Sequence, residues 1–167
     1  MDEILKKKLN AIKLLILDVD GVLTNGWLIY GLNHLDLRCF NSQDGTGIRL
    51  LKAVGIETVL VTIMPSDAVK RRAHEMGTDL HIVNPKIKVL DRIIEKYQVS
   101  LTEVCYVGDD VVDLEIMELV GLPVAVANAT TPVKAVAGYT TLNRGGEGAV
   151  REVTDMILEA RSLSREV

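Results

Sequence analysis

The stretch Leu14-Leu15-Ile16-Leu17-Asp18-Val19-Asp20-Gly21 decides the fold of this chain. Four consecutive aliphatic residues are typical of a strand that is buried on both faces, as in a parallel sheet. Two aspartates and a glycine follow directly, where the strand gives way to a loop. Because ligands of parallel α/β sheets bind beyond the carboxyl ends of the strands, this stretch predicts both an architecture and a site.

Short apolar runs and amphipathic helical patterns alternate along the rest of the chain. Strands are predicted over 58–61, 80–83, 104–107 and 123–126, and helices over 44–54, 66–76, 86–97, 110–119, from Pro132, and over 147–161. This alternation predicts an α/β fold, a Rossmann-like parallel sheet with helices on both faces. The chain has 167 residues and no stretch long enough for a separate cap domain, so we expect one domain over residues 1–167.

One segment interrupts the alternation. Residues 27–30 and 35–40 are rich in apolar side chains and flank Gly31-Leu32-Asn33. The pattern predicts a small β-hairpin inserted between the first strand and the helix that follows it. Its apolar side chains could belong to the core or to an interface, and the marginal stability of an isolated hairpin in water favours an interface.

Composition excludes several classes of function. Nineteen basic against twenty-three acidic residues give a net charge of −4, which argues against binding nucleic acid or an anionic membrane surface. No apolar run is long enough to cross a bilayer, and the first residues do not have the pattern of a signal peptide. The two cysteines, Cys39 and Cys105, form no CxxC pair. We therefore expect a cytoplasmic protein with neither nucleic-acid nor membrane partners.

Polar side chains follow four of the predicted strands: Asp18 and Asp20, Thr62, Lys86 and Lys88, and Asp109, Asp110 and Asp113. A helix cap would explain one loop aspartate, such as Asp110, but not acids that converge from two strand ends. Two carboxylates ~4 Å apart repel by about 4 kcal/mol at an effective dielectric constant near 20, so such a cluster needs a cation. Oxygen ligands without His or Cys favour Mg²⁺.

These residue types are sufficient for phosphoryl transfer. A carboxylate beside Mg²⁺ can attack phosphorus and form an aspartyl-phosphate, the role expected of Asp18. A second acid two residues later, Asp20, can protonate the leaving oxygen and then accept a proton from water. A hydroxyl and an ammonium group, Thr62 and Lys88, can hold the phosphoryl oxygens.

The segments together resemble, in the same order, the four motifs of the haloacid dehalogenase-like phosphatases: 18–24, Thr62, Lys88 and 108–113. The resemblance implies that Asp18 is the nucleophile and Asp20 the acid/base. It also implies that Mg²⁺ is held by Asp18, the Asp20 backbone carbonyl and Asp109, with Asp110 or Asp113 in support.

The resemblance narrows to the capless branch of that family through the hairpin and the segments 40–48 and 145–152. Members hydrolyse sugar-acid phosphates such as 3-deoxy-D-manno-octulosonate 8-phosphate (KDO 8-phosphate), a precursor of lipopolysaccharide sugar. They are homotetramers whose hairpins pack together and whose neighbouring subunits help to close each site, and Gly145–Gly148 is expected to fold over it. The implied substrate-binding residues are Asp20, Asn41, Ser42, Gln43, Asp44, Gly45, Arg49, Arg72 and Lys88.

Two positions depart from the pattern of the branch. Gln43 and Met64 stand where the family usually has arginine, and neither replaces the charge that binds a carboxylate or phosphate. Arg144, Arg151 and Lys86 are candidates to compensate. The departures leave the sugar acid open, with a nine-carbon sialic-type acid 9-phosphate as the alternative.

Two other functions are disfavoured by the motifs. A non-catalytic relative kept for oligomerisation or regulation would be expected to lose acidic residues, yet Asp18, Asp20 and Asp109 are all present. A phospho-accepting receiver domain places its acceptor aspartate after the third strand, where this chain has His81-Ile82-Val83-Asn84.

Overall fold

The computed structural model describes residues 2–31 and 36–163. Within these ranges the strands are β1 (Leu14–Leu17), β2 (Ile29–Tyr30), β3 (Asp36–Leu37), β4 (Glu57–Thr62), β5 (Asp79–Ile82), β6 (Val104–Gly108), β7 (Leu122–Ala125) and β8 (Tyr139–Thr140). The α-helices are α1 (Glu3–Ala11), α2 (Ser42–Ala53), α3 (Asp67–Met76), α4 (Leu90–Tyr97), α5 (Leu114–Met117), α6 (Thr131–Val136) and α7 (Ala149–Leu163).

Six strands form one parallel sheet in the order β5-β4-β1-β6-β7-β8. All four residues of β1 are buried, because β4 and β6 flank the strand and helices cover the sheet. Helix α2 packs against α7, α7 also packs against α1, and α5 packs against α6. The predicted α/β architecture with helices on both faces of a Rossmann-like sheet is therefore confirmed.

The central position of β1 follows from its composition. A run of four aliphatic residues is most stable where both of its faces are buried, because burial contributes roughly 25 cal/mol per Å² of apolar surface removed from water. In register, Leu17 lies beside Leu60 of β4 and Val107 of β6. The residue after β1 is therefore placed between the ends of two neighbouring strands.

The predicted hairpin is present as the antiparallel pair β2–β3, in which Ile29 lies opposite Leu37. Its strands are shorter than the sequence pattern suggested, and the turn residues 32–35 lie outside the described residues. Trp27 and Tyr30 are 71% and 73% exposed. These side chains consequently add nothing to the core of this chain.

Two predicted helices, over 86–97 and 110–119, begin instead as 3₁₀ turns, at Lys86–Val89 and Val111–Asp113. In the second, the Asp113 carboxylate accepts hydrogen bonds from the backbone N–H groups of Asp109 and Asp110. Those bonds hold the tight turn in place of an α-helical start. In the part of the chain that the structure describes, no helix has the length and apolar character needed to span a bilayer.

Candidate active site

Asp18 lies at the centre of the carboxyl edge of the sheet. Its N–H continues the ladder by donating to the Val107 carbonyl at 3.0 Å, and the residue is only 5% exposed. Thr62 ends β4 on one side, and Asp109 follows β6 on the other. The topology therefore brings Asp18, Thr62 and Asp109 to one edge, as the strand-end pattern predicted.

A buried lysine joins two of the carboxylates. Lys86 Nζ lies 2.6 Å from Asp18 Oδ1 and 2.6 Å from Asp113 Oδ1. Tyr106 Oη also donates to Asp113 Oδ1, at 2.6 Å. Since Asp113 Oδ2 accepts from two backbone N–H groups, both oxygens of Asp113 are occupied. Asp113 consequently fixes Lys86 and the loop after β6.

The electrostatics of the cluster follow from burial and from like charges. Burial raises the pKa of Asp18 well above its usual range, Asp113 raises it further, and Lys86 acts in the opposite sense. Burial also raises the pKa of Asp109 to about 6. Burial disfavours the Lys86 ammonium, but Asp18 and Asp113 outweigh it, so the pKa of Lys86 is raised.

The donor set fits a hard divalent cation. Asp18, Asp109 and Asp113 each offer an oxygen within 4.8 Å of the others, and no His or Cys belongs to this group. With the Asp113 oxygens occupied, Asp18 and Asp109 remain as the carboxylates that could hold Mg²⁺. Both are buried enough to resist ionisation, and a cation between them would remove that penalty.

A glycine makes the approach of Asp109 possible. Gly21 has φ +97°, and a Cβ atom there would lie 1.9 Å from Asp109 Oδ2. Any other residue would adopt this backbone at a cost and would also displace the carboxylate. The glycine that follows Asp20 is therefore required by the site.

Asp20 has a partner that the sequence analysis missed. Arg38 Nε donates to Asp20 Oδ1 at 2.6 Å, and the Arg38 side chain is 1% exposed. Arg38 Nη1 pairs with the Asp36 carboxylate of β3. No local spacing relates residue 38 to residue 20, so only the path of the hairpin could have identified this contact.

A cavity of about 230 Å³ opens beside these groups. Its walls are formed by Asp18, Asp20, Gly26, Thr62, Ile63, Met64, Lys86, Asp109, Asp110 and Val112. Thr62 Oγ1 accepts from the Met64 N–H at 3.1 Å, which leaves its own hydrogen available to a ligand. Met64 thus forms an apolar part of the cavity wall, at one of the two positions where the resemblance led us to expect arginine.

The glycine-rich segment 145–148 packs on the loop that follows β1. Gly146 N–H donates to the Val22 carbonyl at 3.0 Å. Asn128 bridges the two segments, because its Nδ2 donates to the Gly21 carbonyl at 3.1 Å and its Oδ1 accepts from Gly145 N–H at 2.6 Å. Asn128 was also missed, since its sequence context, Asn128-Ala129-Thr130, resembles only a chance glycosylation sequon.

The prediction of Lys88 as the lysine of the site is corrected by the structure. Lys88 Nζ is exposed and lies 3.5 Å from the Asn84 carbonyl, beside a separate recess next to β5. In the 3₁₀ turn of residues 86–89, side chains two positions apart lie on different sides. Lys86 is directed into the core and contacts Asp18.

Most of the residues predicted from family likeness to bind substrate lie on α2 or directly before it, outside the walls of the cavity, whereas Asp20 forms part of those walls. Asn41 caps α2 by accepting from the Gln43 N–H, while Ser42 and Gln43 are exposed. Arg49 is also exposed and donates to Thr46 Oγ1. Among the described residues, none of these four forms a hydrogen bond or an ion pair with Asp18 or Asp20.

Asp44, Gly45 and Arg72 of this predicted set have structural partners. Arg72 Nη2 donates to the Asn41 carbonyl at 3.0 Å, and its guanidinium occupies the space that a side chain at Gly45 would need. Asp44 is fully buried and its Oδ1 accepts from the Arg151 N–H at 2.8 Å, at the start of α7. Burial raises the pKa of Asp44 to about 6. The prediction that Asp44 binds substrate is therefore corrected, because the carboxylate is enclosed.

Comparisons with known proteins agree with this geometry. Residues 80–153 match the family model described as haloacid dehalogenase-like hydrolase. The 3-deoxy-D-manno-octulosonate 8-phosphate phosphatase KdsC of Escherichia coli (strain K12) is 41% identical over 157 residues, which cover 92% of this chain and 83% of that protein. The corresponding protein of Yersinia pestis is 37% identical over 163 residues, 96% of this chain and 86% of its own length.

Solved structures give the same result. The crystal structure of the Yersinia pestis phosphatase superposes with a TM-score of 0.95 at 35% identity, covering 97% of this chain and 89% of that one. The Moraxella catarrhalis phosphatase, solved with a magnesium ion, a phosphate ion and a KDO molecule, superposes with a TM-score of 0.93 at 36% identity, covering 99% and 96%. This chain belongs to the 3-deoxy-D-manno-octulosonate 8-phosphate phosphatase family of haloacid dehalogenase-like hydrolases.

Proposed function

We propose that this protein hydrolyses KDO 8-phosphate to KDO and inorganic phosphate with Mg²⁺ as cofactor, and so supplies sugar for lipopolysaccharide. The observation that carries the proposal is the buried Asp18, held by Lys86 at 2.6 Å beside Asp109. Relatives that match nearly the whole chain bear the name of this activity, and one of their structures contains Mg²⁺, phosphate and KDO.

In the first step, an oxygen of Asp18 attacks the phosphorus atom of the substrate. The bond from phosphorus to the sugar oxygen breaks as the bond to Asp18 forms, which gives an aspartyl-phosphate. Asp20 gives its proton to the departing sugar oxygen, so the alcohol leaves neutral. Asp20 lies on the wall of the same cavity, two residues from the nucleophile.

In the second step, water attacks the phosphorus atom of the aspartyl-phosphate. Asp20, now ionised, accepts a proton from that water, and the bond from phosphorus to Asp18 breaks. Inorganic phosphate leaves, and both aspartates return to their starting protonation states. The two steps together consume one water molecule for each phosphate released.

The chain stabilises the charge of the transferring group with two side chains. Lys86 binds two carboxylates, which leaves one of its three ammonium hydrogens for a phosphoryl oxygen. The Thr62 hydroxyl, at the neighbouring strand end, donates to a second oxygen. Mg²⁺, which Asp18, Asp109 and the Asp20 backbone carbonyl would hold, supplies further positive charge to the phosphoryl group.

We further propose a cytoplasmic homotetramer in which hairpins of neighbouring subunits pack together. The exposed apolar side chains of the hairpin support this assembly: Trp27, Leu28, Ile29, Tyr30 and Leu37. Burying them against a second subunit would stabilise the assembly by roughly 25 cal/mol per Å².

Phosphate release from a panel of sugar phosphates, measured with Mg²⁺ and with a chelator, tests the function. We expect Mg²⁺-dependent turnover with kcat/KM highest for KDO 8-phosphate. A preference for a nine-carbon sugar-acid 9-phosphate would keep the chemistry and assign the change of substrate to Gln43 and Met64. Absence of Mg²⁺-dependent release from every phosphate tested would refute the proposal.

A further inference from the structure

Arg38, which directly follows β3 of the hairpin, binds Asp20, the proposed acid/base residue in the loop after β1. Its Nε donates to Asp20 Oδ1 at 2.6 Å across eighteen positions of sequence. Its Nη1 is held by Asp36, which belongs to β3. The guanidinium is almost completely removed from solvent, with 1% of the side chain exposed. The Asp20 carboxylate is therefore fixed by the hairpin as well as by its own loop.

The contact distinguishes the two oxygens of Asp20. Oδ1 accepts from Arg38, whereas Oδ2 is buried and has no hydrogen-bond partner among the described residues. Asp20 borders the cavity that also contains Asp18. The contact with Arg38 therefore fixes the orientation of the Asp20 carboxyl group beside the cavity.

We propose that Arg38 is a positioning residue that holds Asp20 by Oδ1 and so fixes this carboxyl group for proton transfer to the leaving group. The inference rests on the proposed function, in which Asp20 is the acid/base. Because Arg38 is itself held by β3, proton transfer in this enzyme depends on the hairpin. The apolar hairpin that is expected to contact a neighbouring subunit is thereby connected to the chemistry of its own site.

Charge argues against Arg38 as an anchor for the substrate carboxylate. Arg38 contacts two carboxylates, Asp20 and Asp36, so the group of three has a net charge of −1 when both are ionised. An arginine that replaced Gln43 or Met64 in binding an anion would need an excess of positive charge. The two roles give different kinetics, since an anchor changes KM and a positioning residue changes kcat.

The experiment compares Arg38→Gln with Arg71→Gln, an exposed arginine that pairs with Glu75 on α3. We expect Arg38→Gln to lower kcat for the preferred sugar phosphate by about 10- to 100-fold, because a small displacement of a catalytic group costs on this scale. KM should change less than threefold, and Arg71→Gln should match the unaltered protein.

A substrate with a good leaving group separates a role through Asp20 from general damage. p-Nitrophenolate departs with little need of protonation, so nitrophenol release in a single turnover should be nearly unchanged in Arg38→Gln. In a double-mutant cycle, Arg38→Gln should have no further effect on sugar-phosphate turnover once Asp20 is replaced by Asn.

Three results would overturn the inference: an unchanged kcat in Arg38→Gln, a raised KM at constant kcat, or a full additional loss in the Asp20→Asn background. If Arg38→Gln does not fold, Asp36→Asn is tested in its place. We expect Asp36→Asn to lower kcat less than a change of Arg38 itself, with the same dependence on the leaving group. Normal turnover by Asp20→Asn alone would instead refute the proposed function, so the two failures are distinguishable.

Discussion

Replacement of Lys86 by methionine tests the arrangement of the buried charges. Lys86 Nζ lies 2.6 Å from an oxygen of Asp18 and 2.6 Å from an oxygen of Asp113, and its side chain is 1% exposed. At an effective dielectric constant of about 20, each contact contributes roughly 6 kcal/mol of attraction. The cost of desolvating three charges offsets most of this attraction, so the gross sum does not measure stability.

Removal of one member of such a cluster leaves the others buried without compensation. The expected loss of unfolding free energy for Lys86→Met is about 3–5 kcal/mol. For a chain of this size, each kcal/mol corresponds to a shift in Tm of roughly 2–4 °C, so Tm should fall by roughly 6–20 °C. Turnover should be lost as well, because the ammonium group that faces the phosphoryl oxygens is gone.

Lys88→Met is the matched control, two residues away. Lys88 is exposed, and its ammonium group hydrogen-bonds to the Asn84 carbonyl at 3.5 Å. Differential scanning calorimetry and phosphate release should show the large effects in Lys86→Met and a Tm within about 2 °C of the unaltered protein in Lys88→Met. Equal Tm values for the two variants, or lost turnover in Lys88→Met alone, would refute the assignment of Lys86.

Three further predictions concern other parts of the molecule. Burial raises the pKa of Asp44 from 3.8 to about 6, so the unfolded chain binds fewer protons and stability falls by up to about 3 kcal/mol as pH rises through this interval. Urea unfolding should show that Asp44→Asn is more stable relative to the unaltered protein at pH 7.5 than at pH 4, and a difference independent of pH would contradict this. Gly21→Ala should weaken Mg²⁺ activation and lower kcat by at least about 10-fold, because the new Cβ would displace Asp109; a Mg²⁺ titration of activity checks this, and an unchanged curve would be contrary evidence. Trp27→Asp should reduce the mass measured by light scattering, whereas Leu142→Asp, at an exposed residue outside the hairpin, should not; a monomeric unaltered protein would exclude the proposed tetramer.

The sequence was sufficient to predict the sheet and the acidic edge. A buried aliphatic run followed by Asp18 and Asp20 predicts a strand inside the sheet and places the two carboxylates just beyond its end. The apolar residues must be buried and the aspartates must lie where the strand becomes a loop, and a single placement of the strand meets both requirements. Asp109 followed from the same rule applied to β6. These inferences succeed because they depend only on strand direction. The organisation as one domain over residues 1–167 stays a prediction.

The choice between Lys86 and Lys88 could not be made from the sequence. It depends on whether the helix begins as an α-helix or as a 3₁₀ turn, which changes the direction of each side chain. Arg38 and Asn128 could not be identified for a related reason. Both act across long separations in sequence, 18 positions for Arg38 and 107 for Asn128, and no periodic pattern encodes such contacts.

The covalent intermediate is the most direct test of the proposed chemistry. The protein is mixed with KDO 8-phosphate and Mg²⁺, quenched in acid during turnover, digested and analysed by mass spectrometry. We predict one added phosphoryl group on the peptide that contains Asp18, with neither the adduct nor turnover in Asp18→Asn. Phosphate release that continues in Asp18→Asn, or an adduct on a different residue, would contradict the assignment of Asp18 as the nucleophile.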